Sequence, residues 1–140
     1  MKRATVVQAE PFPVHFIEEI NNSEAIPLYA EAWCYLLQHR LIDKSSFPNW
    51  KAACFFVPDA ALATYTILEH DSQLWVGFTY IRHSERRRGI LPALWRCLRE
   101  KAKEKGCASI GFSCAPHNAV MNRIGKAFGT QTHVSYRIAI

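Results

Sequence analysis

The sequence predicts a single α/β domain built around a mixed β-sheet. Its N-terminal half contains short segments in which apolar residues alternate with other types, as in β-strands. A strongly amphipathic helical segment follows Gly89, and another strand-like segment follows that helix. Because a strand, helix, strand passage normally makes a right-handed crossover, the strands around this helix should be parallel. The length of 140 residues fits one domain spanning 1–140.

The first forty residues predict two strands and one helix. Thr5–Gln8 and Val14–Ile20 have the composition of short strands. Ser23 is placed to cap a helix that runs to about Arg40, with Pro27 tolerated in its first turn. The apolar residues that recur on one face of this helix are Ile26, Ala30, Trp33 and Leu37.

Three strands in the middle of the chain predict an antiparallel meander. They span Ala52–Val57, Ala63–Glu69 and Leu74–Arg82, and a polar turn at 70–72 joins the last two. Strict alternation divides the third strand into two faces: Leu74, Val76, Phe78 and Tyr80 on one, and Trp75, Thr79 and Ile81 on the other. The N-terminal strands of the sheet should therefore pair antiparallel.

The second half of the chain predicts two helices and two strands. Leu91–Lys105 is the clearest helix, with Pro92 in its first turn and Gly106 placed to end it. Its predicted apolar stripe contains Leu91, Leu94, Trp95, Leu98 and Ala102. The remaining predicted elements are a strand at Ala108–Cys114, a helix at His117–Ala127 ended by Gly129, and a strand at His133–Ile140.

Composition favours a soluble, intracellular protein. No apolar run is long enough to span a bilayer, and the basic N-terminus lacks the apolar stretch of a secretion signal. The five cysteines form no CxxC pair and have no histidine at zinc-site spacing, so we expect reduced thiols and no structural metal. We therefore expect a cytoplasmic location.

Positive charge is concentrated in one segment of the chain. The net charge is +5, and 82–105 carries nine Lys or Arg against three Glu. A strand runs into an arginine-rich turn, a glycine and the start of a helix within this segment. The first amides of a helix lack intrahelical acceptors and carry partial positive charge, so they suit a phosphate. Gly89 lets the backbone turn and approach such a ligand closely.

The turn Arg86-Arg87-Arg88-Gly89-Ile90-Leu91 resembles the signature of the GNAT N-acetyltransferases, and the resemblance covers roughly 50–130. It implies a GNAT fold and acetyl-CoA as cosubstrate. In that family the amides of this turn hold the pyrophosphate, and the arginines would add cationic contacts. The preceding strand would bind the pantetheine arm through the main chain of Tyr80, Ile81, Arg82 and His83. Asn118 matches an asparagine that contacts the same arm.

Three positions depart from the family pattern. Leu91 stands where the signature has a small residue, and Pro92 supplies no amide. Many GNAT enzymes also have a tyrosine seven residues after the asparagine, where it protonates the departing thiolate. That position is Gly125 here. The resemblance thus supports cofactor binding more directly than it supports catalysis.

Several side chains are candidates for proton transfer. Tyr80 on the strand and His117 beside Asn118 are the catalytic candidates, although packing and surface positions are the commoner roles of such residues. Glu69 and Asp71 border a turn that needs charge for solubility. Cys114 ends a strand near the expected thioester, where we expect it to pack. The aromatic residues Trp33, Tyr35, Phe47 and Trp50 would favour a hydrophobic or aromatic acceptor over a sugar if they face the cleft.

The sequence supports three hypotheses of function. The leading one is an acetyl-CoA-dependent N-acetyltransferase acting on an amine of a small molecule or protein. The second is a GNAT-fold binding or regulatory protein without efficient turnover. The third, a nucleic-acid-binding module, is disfavoured because the basic segment has little interleaved aromatic surface. An open sheet edge near the terminal strand predicts a homodimer.

Overall fold

The computed structural model describes residues 3–9, 11–21, 23–41, 48–114, 117–128, 130–132 and 135–139. The strands are β1 (Thr5–Gln8), β2 (Val14–Ile17), β3 (Ala53–Val57), β4 (Ala61–Leu68), β5 (Gln73–Ile81), β6 (Ser109–Ser113), β7 (Thr130–Thr132) and β8 (Ser135–Ala139). The helices are α1 (Ile26–Gln38), α2 (Ile90–Glu104) and α3 (Ala119–Phe128). Within these residues the strands form one sheet in the order β1-β2-β3-β4-β5-β6-β8-β7.

The sheet is mixed, as the sequence predicts. β5 and β6 pair in parallel through the α2 crossover, and the remaining neighbours pair antiparallel. The parallel ladder runs only from Gln73 opposite Ser109 to Trp75 opposite Gly111. β5 then continues to Ile81 beside β4 alone, because β6 diverges from it. This divergence opens the sheet in the middle.

Apolar side chains cover both faces of the sheet. One cluster joins α2 to residues of β3, β4, β5 and β6, including Leu74, Val76, Leu94 and Leu98. The other joins α1 to the opposite face and is centred on Tyr29, which is 1% exposed. A sheet covered by helices on both sides buries its central strands twice, which accounts for their nearly continuous apolar sequence.

A β-bulge reverses the predicted faces of β5. The register passes from Ala63 opposite Thr79 to Tyr65 opposite Val76, so Thr64 opposes both Gly77 and Phe78. Leu74 and Val76 consequently face α2, whereas Phe78 and Tyr80 face α1. The prediction that these four side chains share one face was wrong, because alternation does not survive the insertion of one residue.

The first helix differs from its prediction in cap and stripe. Ser23 does not cap α1; its hydroxyl accepts a hydrogen bond from the Ala25 amide at 3.2 Å and donates to the Ile20 carbonyl, while Ala25 occupies the N-cap position. The side chains that α1 buries are Leu28, Tyr29, Ala32 and Leu36. Ala30 is exposed instead, so the buried stripe lies on another side of the helix than the sequence suggested.

The C-terminal elements agree with most predictions. α2 ends before Gly106, whose positive φ of 72° suits the residue after a helix. The predicted strand at 133–140 corresponds to β8, and β7 is an additional strand that the sequence did not reveal. The proposed helix end at Gly129 lies outside the described residues. Among the described helices, none has the length and apolar character needed to cross a bilayer.

Candidate active site

The divergence of β5 from β6 opens a cleft of about 710 Å³. Its walls come from α1, the end of β5, the turn that follows β5, and the first residues of α2 and α3. The lining residues are Tyr35, Leu36, Leu41, Thr79, Tyr80, Ile81, Glu85, Arg86, Arg87, Gly89, Ile90, Leu91, Pro92, Asn118, Met121 and Arg123. The cleft therefore brings together most of the residues that the sequence predicted for cofactor binding.

One end of the cleft is formed by the turn between β5 and α2. Its backbone has two left-handed residues, Arg87 with φ 64° and Gly89 with φ 84°, and Gly89 is the N-cap of α2. The amides of Ile90 and Leu91 lie in the first turn of the helix, where no intrahelical carbonyl can accept from them. Pro92 has no N–H, as the sequence indicated. The turn can thus present several main-chain donors at the positive end of α2.

The three consecutive arginines have different surroundings. Arg86 and Arg87 line the cleft. The Arg86 guanidinium donates to the Ile81 carbonyl at 3.1 Å and to the Tyr35 hydroxyl at 3.0 Å, so it links the turn to α1. Arg88 instead forms an ion pair with Glu85 and stacks over the Phe12 ring. Its side chain is turned away from the cleft, which leaves only its main-chain amide for the predicted phosphate contact.

Glu31 of α1 forms hydrogen bonds with Tyr80 of β5 and with Arg82, which directly follows β5. Its carboxylate accepts from Arg82 Nε at 2.8 Å, from an Arg82 terminal nitrogen at 2.7 Å and from the Tyr80 hydroxyl at 2.8 Å. Burial, and then the bond to Glu31, raise the pKa of Tyr80 to about 12. The Tyr80 proton is therefore held in a hydrogen bond on the α1 side, although the residue borders the cleft. His83 lies in an exposed turn that follows β5.

The Glu31 to Arg82 pair predicts a pH-dependent contribution to stability. The bond from Arg82 lowers the pKa of Glu31, so the stabilisation is present above the unfolded pKa of about 4.5 and is lost as pH falls through the folded value. Both side chains are 37% exposed, so screening limits the effect to about 1 kcal/mol. We expect Glu31→Gln to lower the free energy of unfolding by about that amount at pH 7.

Urea unfolding at a series of pH values measures this contribution. The difference between wild type and Glu31→Gln should shrink towards pH 3, while the matched variant Glu69→Gln, at an exposed carboxylate, should follow the wild type throughout. A constant difference across that range would contradict the assignment.

A second cavity of about 40 Å³ lies at the inner end of the cleft, at the β5 bulge. We call it the chamber. Its lining residues are Leu36, Leu41, Val76, Gly77, Phe78, Thr79, Phe112, Ser113, Cys114, Asn118 and Met121. These side chains are apolar or uncharged, and five of them also line the cleft. Burial raises the pKa of Cys114, which keeps its thiol protonated and argues against a nucleophilic role.

Asn118 is placed at the junction of cleft and chamber. Its side-chain oxygen accepts from the Met121 amide at 3.2 Å, so it caps α3, and its carbonyl accepts from the Asn122 amide at 3.0 Å. The capped orientation leaves the side-chain nitrogen as the group that can donate to a ligand. Asn118 thus lines both cavities, and its contact with the cofactor arm stays a prediction.

His117 and position 125 do not supply a side chain to the chamber. His117 is exposed, and its Nε2 lies 3.2 Å from the carbonyl of His39 at the end of α1. It lines neither the cleft nor the chamber. Gly125 is buried within α3. His117, one of the two proton carriers that the sequence suggests, and Gly125, at the position of the family's tyrosine, are therefore absent from the lining of the inner cavity.

Several residues of the site were not identified from the sequence. Glu31 and Arg123 lie far from the basic segment along the chain, and Phe12 contacts the turn from the loop between β1 and β2. A pairing between positions 51 residues apart leaves no periodic signal in a single sequence. For Tyr35, the sequence indicates only an aromatic residue of the first helix.

Solved structures show the same architecture. The ribosomal L7/L12 alpha-N-protein acetyltransferase RimL superposes with a TM-score of 0.68 at 11% identity, covering 98% of this chain and 95% of that one. A GNAT-family acetyltransferase from Staphylococcus aureus gives 0.67 at 11% identity, with coverages of 90% and 98%. The chain has the GNAT fold.

A third similar structure was solved with CoA bound. The Bacillus subtilis acetyltransferase in complex with CoA gives a TM-score of 0.57 at 11% identity, covering 91% of this chain and 97% of that one. No protein-family model matches the sequence, and no curated protein matches it either. These likenesses establish the fold alone.

Proposed function

We propose that the cleft binds acetyl-CoA and that the protein transfers the acetyl group to an amine. One observation carries the proposal: a helix N-terminus rich in free donors and an uncharged chamber stand at opposite ends of one continuous cleft. A long cofactor with phosphates at one end and a thioester at the other suits that arrangement. The GNAT fold and a CoA-bound neighbour support it.

The turn after β5 would hold the pyrophosphate. The residues assigned to this role are Arg86, Arg87, Arg88, Gly89, Ile90 and Leu91, with Arg88 acting through its amide. Charge-assisted hydrogen bonds from Arg86 and Arg87 would add to the main-chain donors. Arg123 borders the same region from α3.

The end of β5 would bind the pantetheine arm. From Gly77 onward, β5 has β4 on one edge, and within the described chain no strand pairs with its other edge. The main chain of Tyr80, Ile81, Arg82 and His83 is assigned to this contact, with Asn118 donating from across the cleft. Extended ligands commonly add to such an edge as an extra strand.

Transfer requires attack of the acceptor nitrogen on the thioester carbonyl. The new C–N bond forms as the C–S bond breaks, the sulfur leaves with the electron pair, and the proton lost by nitrogen is balanced by one gained by sulfur. Tyr80 and His117 stay the predicted proton carriers. We expect Tyr80→Phe and His117→Ala each to lower kcat without changing cofactor affinity, which steady-state kinetics with a cofactor titration would measure. An unchanged kcat would contradict the assignment of that residue.

Cofactor binding is tested by thermal unfolding. Acetyl-CoA at about 100 times its Kd should add about 2.7 kcal/mol to the free energy of unfolding and raise Tm by several degrees. Release of CoA thiol in the presence of amines, followed with a thiol reagent, then tests transfer. An unchanged Tm at millimolar acetyl-CoA would reject the proposal.

Gly125 favours a second candidate, a GNAT-fold protein that binds the cofactor without efficient turnover. A Tm shift without thiol release across a broad panel of amines would support this alternative. Thiol release well above the rate of spontaneous hydrolysis would exclude it.

The chamber predicts selectivity for a short acyl group. Its volume of about 40 Å³ has room for only a small group. Because one extra methylene can cost about 10–200-fold in a tight pocket, we expect kcat/KM for butyryl-CoA to fall at least 10-fold below that for acetyl-CoA. Met121→Ala, which enlarges the chamber, should reduce this discrimination, and equal rates in the wild type would contradict the assignment.

The remaining expectations concern context. A homodimer is supported by the two outer strands of the sheet, β1 and β7, whose edges could pair with a second copy. Light scattering at assay concentration tests it. A cytoplasmic location and the absence of a nucleic-acid partner stay predictions, which fractionation and a salt-dependent gel-shift assay would check.

A further inference from the structure

Four aromatic rings pack against one another on the α1 side of the sheet. Phe78 stacks with Tyr29 at 5.5 Å between ring centroids and meets Trp33 at 6.0 Å. Tyr29 in turn packs against Trp50 at 5.1 Å. We call these four residues the aromatic wall. Aromatic pairs at such separations stabilise one another beyond the area that they bury, so the wall is a fixed surface.

The bulge of β5 brings this wall to the chamber. Gly77 and Phe78 both line the chamber, and the extra residue turns the Phe78 ring towards α1 instead of α2. The ring that closes the chamber is therefore also the first ring of the wall. The chamber and the aromatic wall therefore border each other at Phe78.

Part of the aromatic wall is exposed to solvent, although Tyr29 within it is buried and held by a hydrogen bond. Tyr29 is buried, and its hydroxyl accepts from the Asn49 amide at 2.9 Å. Trp50 is 41% exposed, while Trp33 and Phe78 are half-buried. An anchored ring with partly exposed neighbours can accept another flat apolar group without rearrangement of the core.

Among the residues that the structure describes, the charged groups near the wall and chamber are already paired or lie farther along the cleft. Glu31, on the same helix, is held by Arg82 and Tyr80. The other titratable side chains of the cleft are Tyr35, Glu85, Arg86, Arg87 and Arg123, and Cys114 lies in the chamber. A cationic ammonium that entered the chamber would lose hydration, which is costly, because none of the described residues that line the chamber carries a carboxylate.

We infer that the acceptor is an aromatic amine of low basicity, which reaches the chamber as the neutral base with its ring against the aromatic wall. The inference rests on the proposed acetyl transfer and names its substrate class. The nitrogen lone pair of such an amine is available near neutral pH. It attacks the thioester carbonyl, an amide forms, and CoA leaves as the thiol after the proton lost by nitrogen is returned to sulfur.

Two pairs of small amines test separately whether the acceptor is aromatic and whether it is weakly basic. Benzylamine and cyclohexylmethylamine are both strongly basic primary amines, so their comparison isolates the aromatic ring. Aniline and benzylamine share the ring and differ in basicity. We expect KM for benzylamine to be about 5–10-fold lower than for cyclohexylmethylamine, the effect of one stacking contact.

The pH dependence of kcat/KM tests the neutral amine. For aniline we expect a flat profile between pH 6 and 9, and for benzylamine a tenfold rise per pH unit over the same range. Failure to acetylate aniline while benzylamine reacts would overturn the inference, and so would a KM for cyclohexylmethylamine at or below that for benzylamine. Acetyl transfer itself would survive either result. Absence of thiol release with every amine, aliphatic ones included, would instead overturn acetyl transfer.

Variants of the wall locate the acceptor on it. Trp33→Leu should raise KM for benzylamine about 5-fold and leave KM for cyclohexylmethylamine and the acetyl-CoA Kd unchanged. Phe16→Leu is the matched control, because Phe16 is another half-buried ring on the α2 side of the sheet. Phe78→Leu serves as a second wall variant, and Tm values show whether each variant is folded. Equal KM changes in Trp33→Leu and Phe16→Leu would overturn the assignment.

Discussion

Replacement of Gly77 by alanine should lower the rate of acetyl transfer by about 100-fold, because small displacements at a reacting centre have effects of that size. A Cβ atom at Gly77 would lie 2.5 Å from Thr64 Oγ1. Thr64 cannot easily move, since the same hydroxyl accepts a hydrogen bond from the Phe78 amide at 3.1 Å. The bulge must therefore shift, and the chamber lining at Gly77 and Phe78 must shift with it.

Two comparisons make this result specific. Gly106→Ala also adds a methyl group to a glycine, but nothing lies within 4 Å of the added atom, so only its positive φ of 72° is penalised, by about 1 kcal/mol. We expect this control to lose stability and keep its rate per folded molecule. The double variant Gly77→Ala, Thr64→Ala relieves the clash and should recover part of the lost activity.

The measurement is kcat and KM for both substrates, with Tm recorded for each variant. The turn after β5, which we propose to hold the pyrophosphate, lies at the other end of the cleft. The Kd for acetyl-CoA should therefore change less than fivefold in Gly77→Ala. An unchanged kcat in that variant would show that the bulge does not position the reacting groups.

The sequence predicted the fold well where local patterns decide it. The amphipathic pattern around Leu94 and Leu98 gave the position of α2, and the glycine after the arginines gave its N-terminus. Both are short-range signals, since helix period and cap depend on neighbouring residues. The parallel pairing of β5 and β6 was predicted from the strand, helix, strand order, which normally makes a right-handed crossover.

The parts that the sequence missed depend on contacts between distant segments. The bulge at Gly77 is set by Thr64 on the neighbouring strand, so a strand-like pattern from 74 to 82 could not reveal it. The buried stripe of α1 is set by how the helix lies on the sheet, and Tyr29 instead of Ala30 faces the core. Arg88 belongs to the same motif as Arg87, yet Phe12 and Glu85 turn it away.

The different surroundings of the three consecutive arginines lead to the second prediction of a large effect, which concerns cofactor affinity. Arg87→Ala should weaken acetyl-CoA binding by about 10–100-fold, the value of one charge-assisted hydrogen bond in a partly shielded site. Arg96→Ala is the matched control, because Arg96 is an exposed arginine of α2 that does not line the cleft. Removal of the same charge there should change the Kd less than threefold.

Salt distinguishes a direct contact from a general field effect. The Kd of the wild type should rise with ionic strength, and Arg87→Ala should show a shallower dependence than Arg96→Ala, since long-range attraction is screened at about 8–10 Å in ordinary buffers. Titration calorimetry at two salt concentrations measures both. If the two variants lose affinity equally, the arginines act only through net charge, and the main-chain donors around Gly89 bind the pyrophosphate without help from the Arg87 side chain.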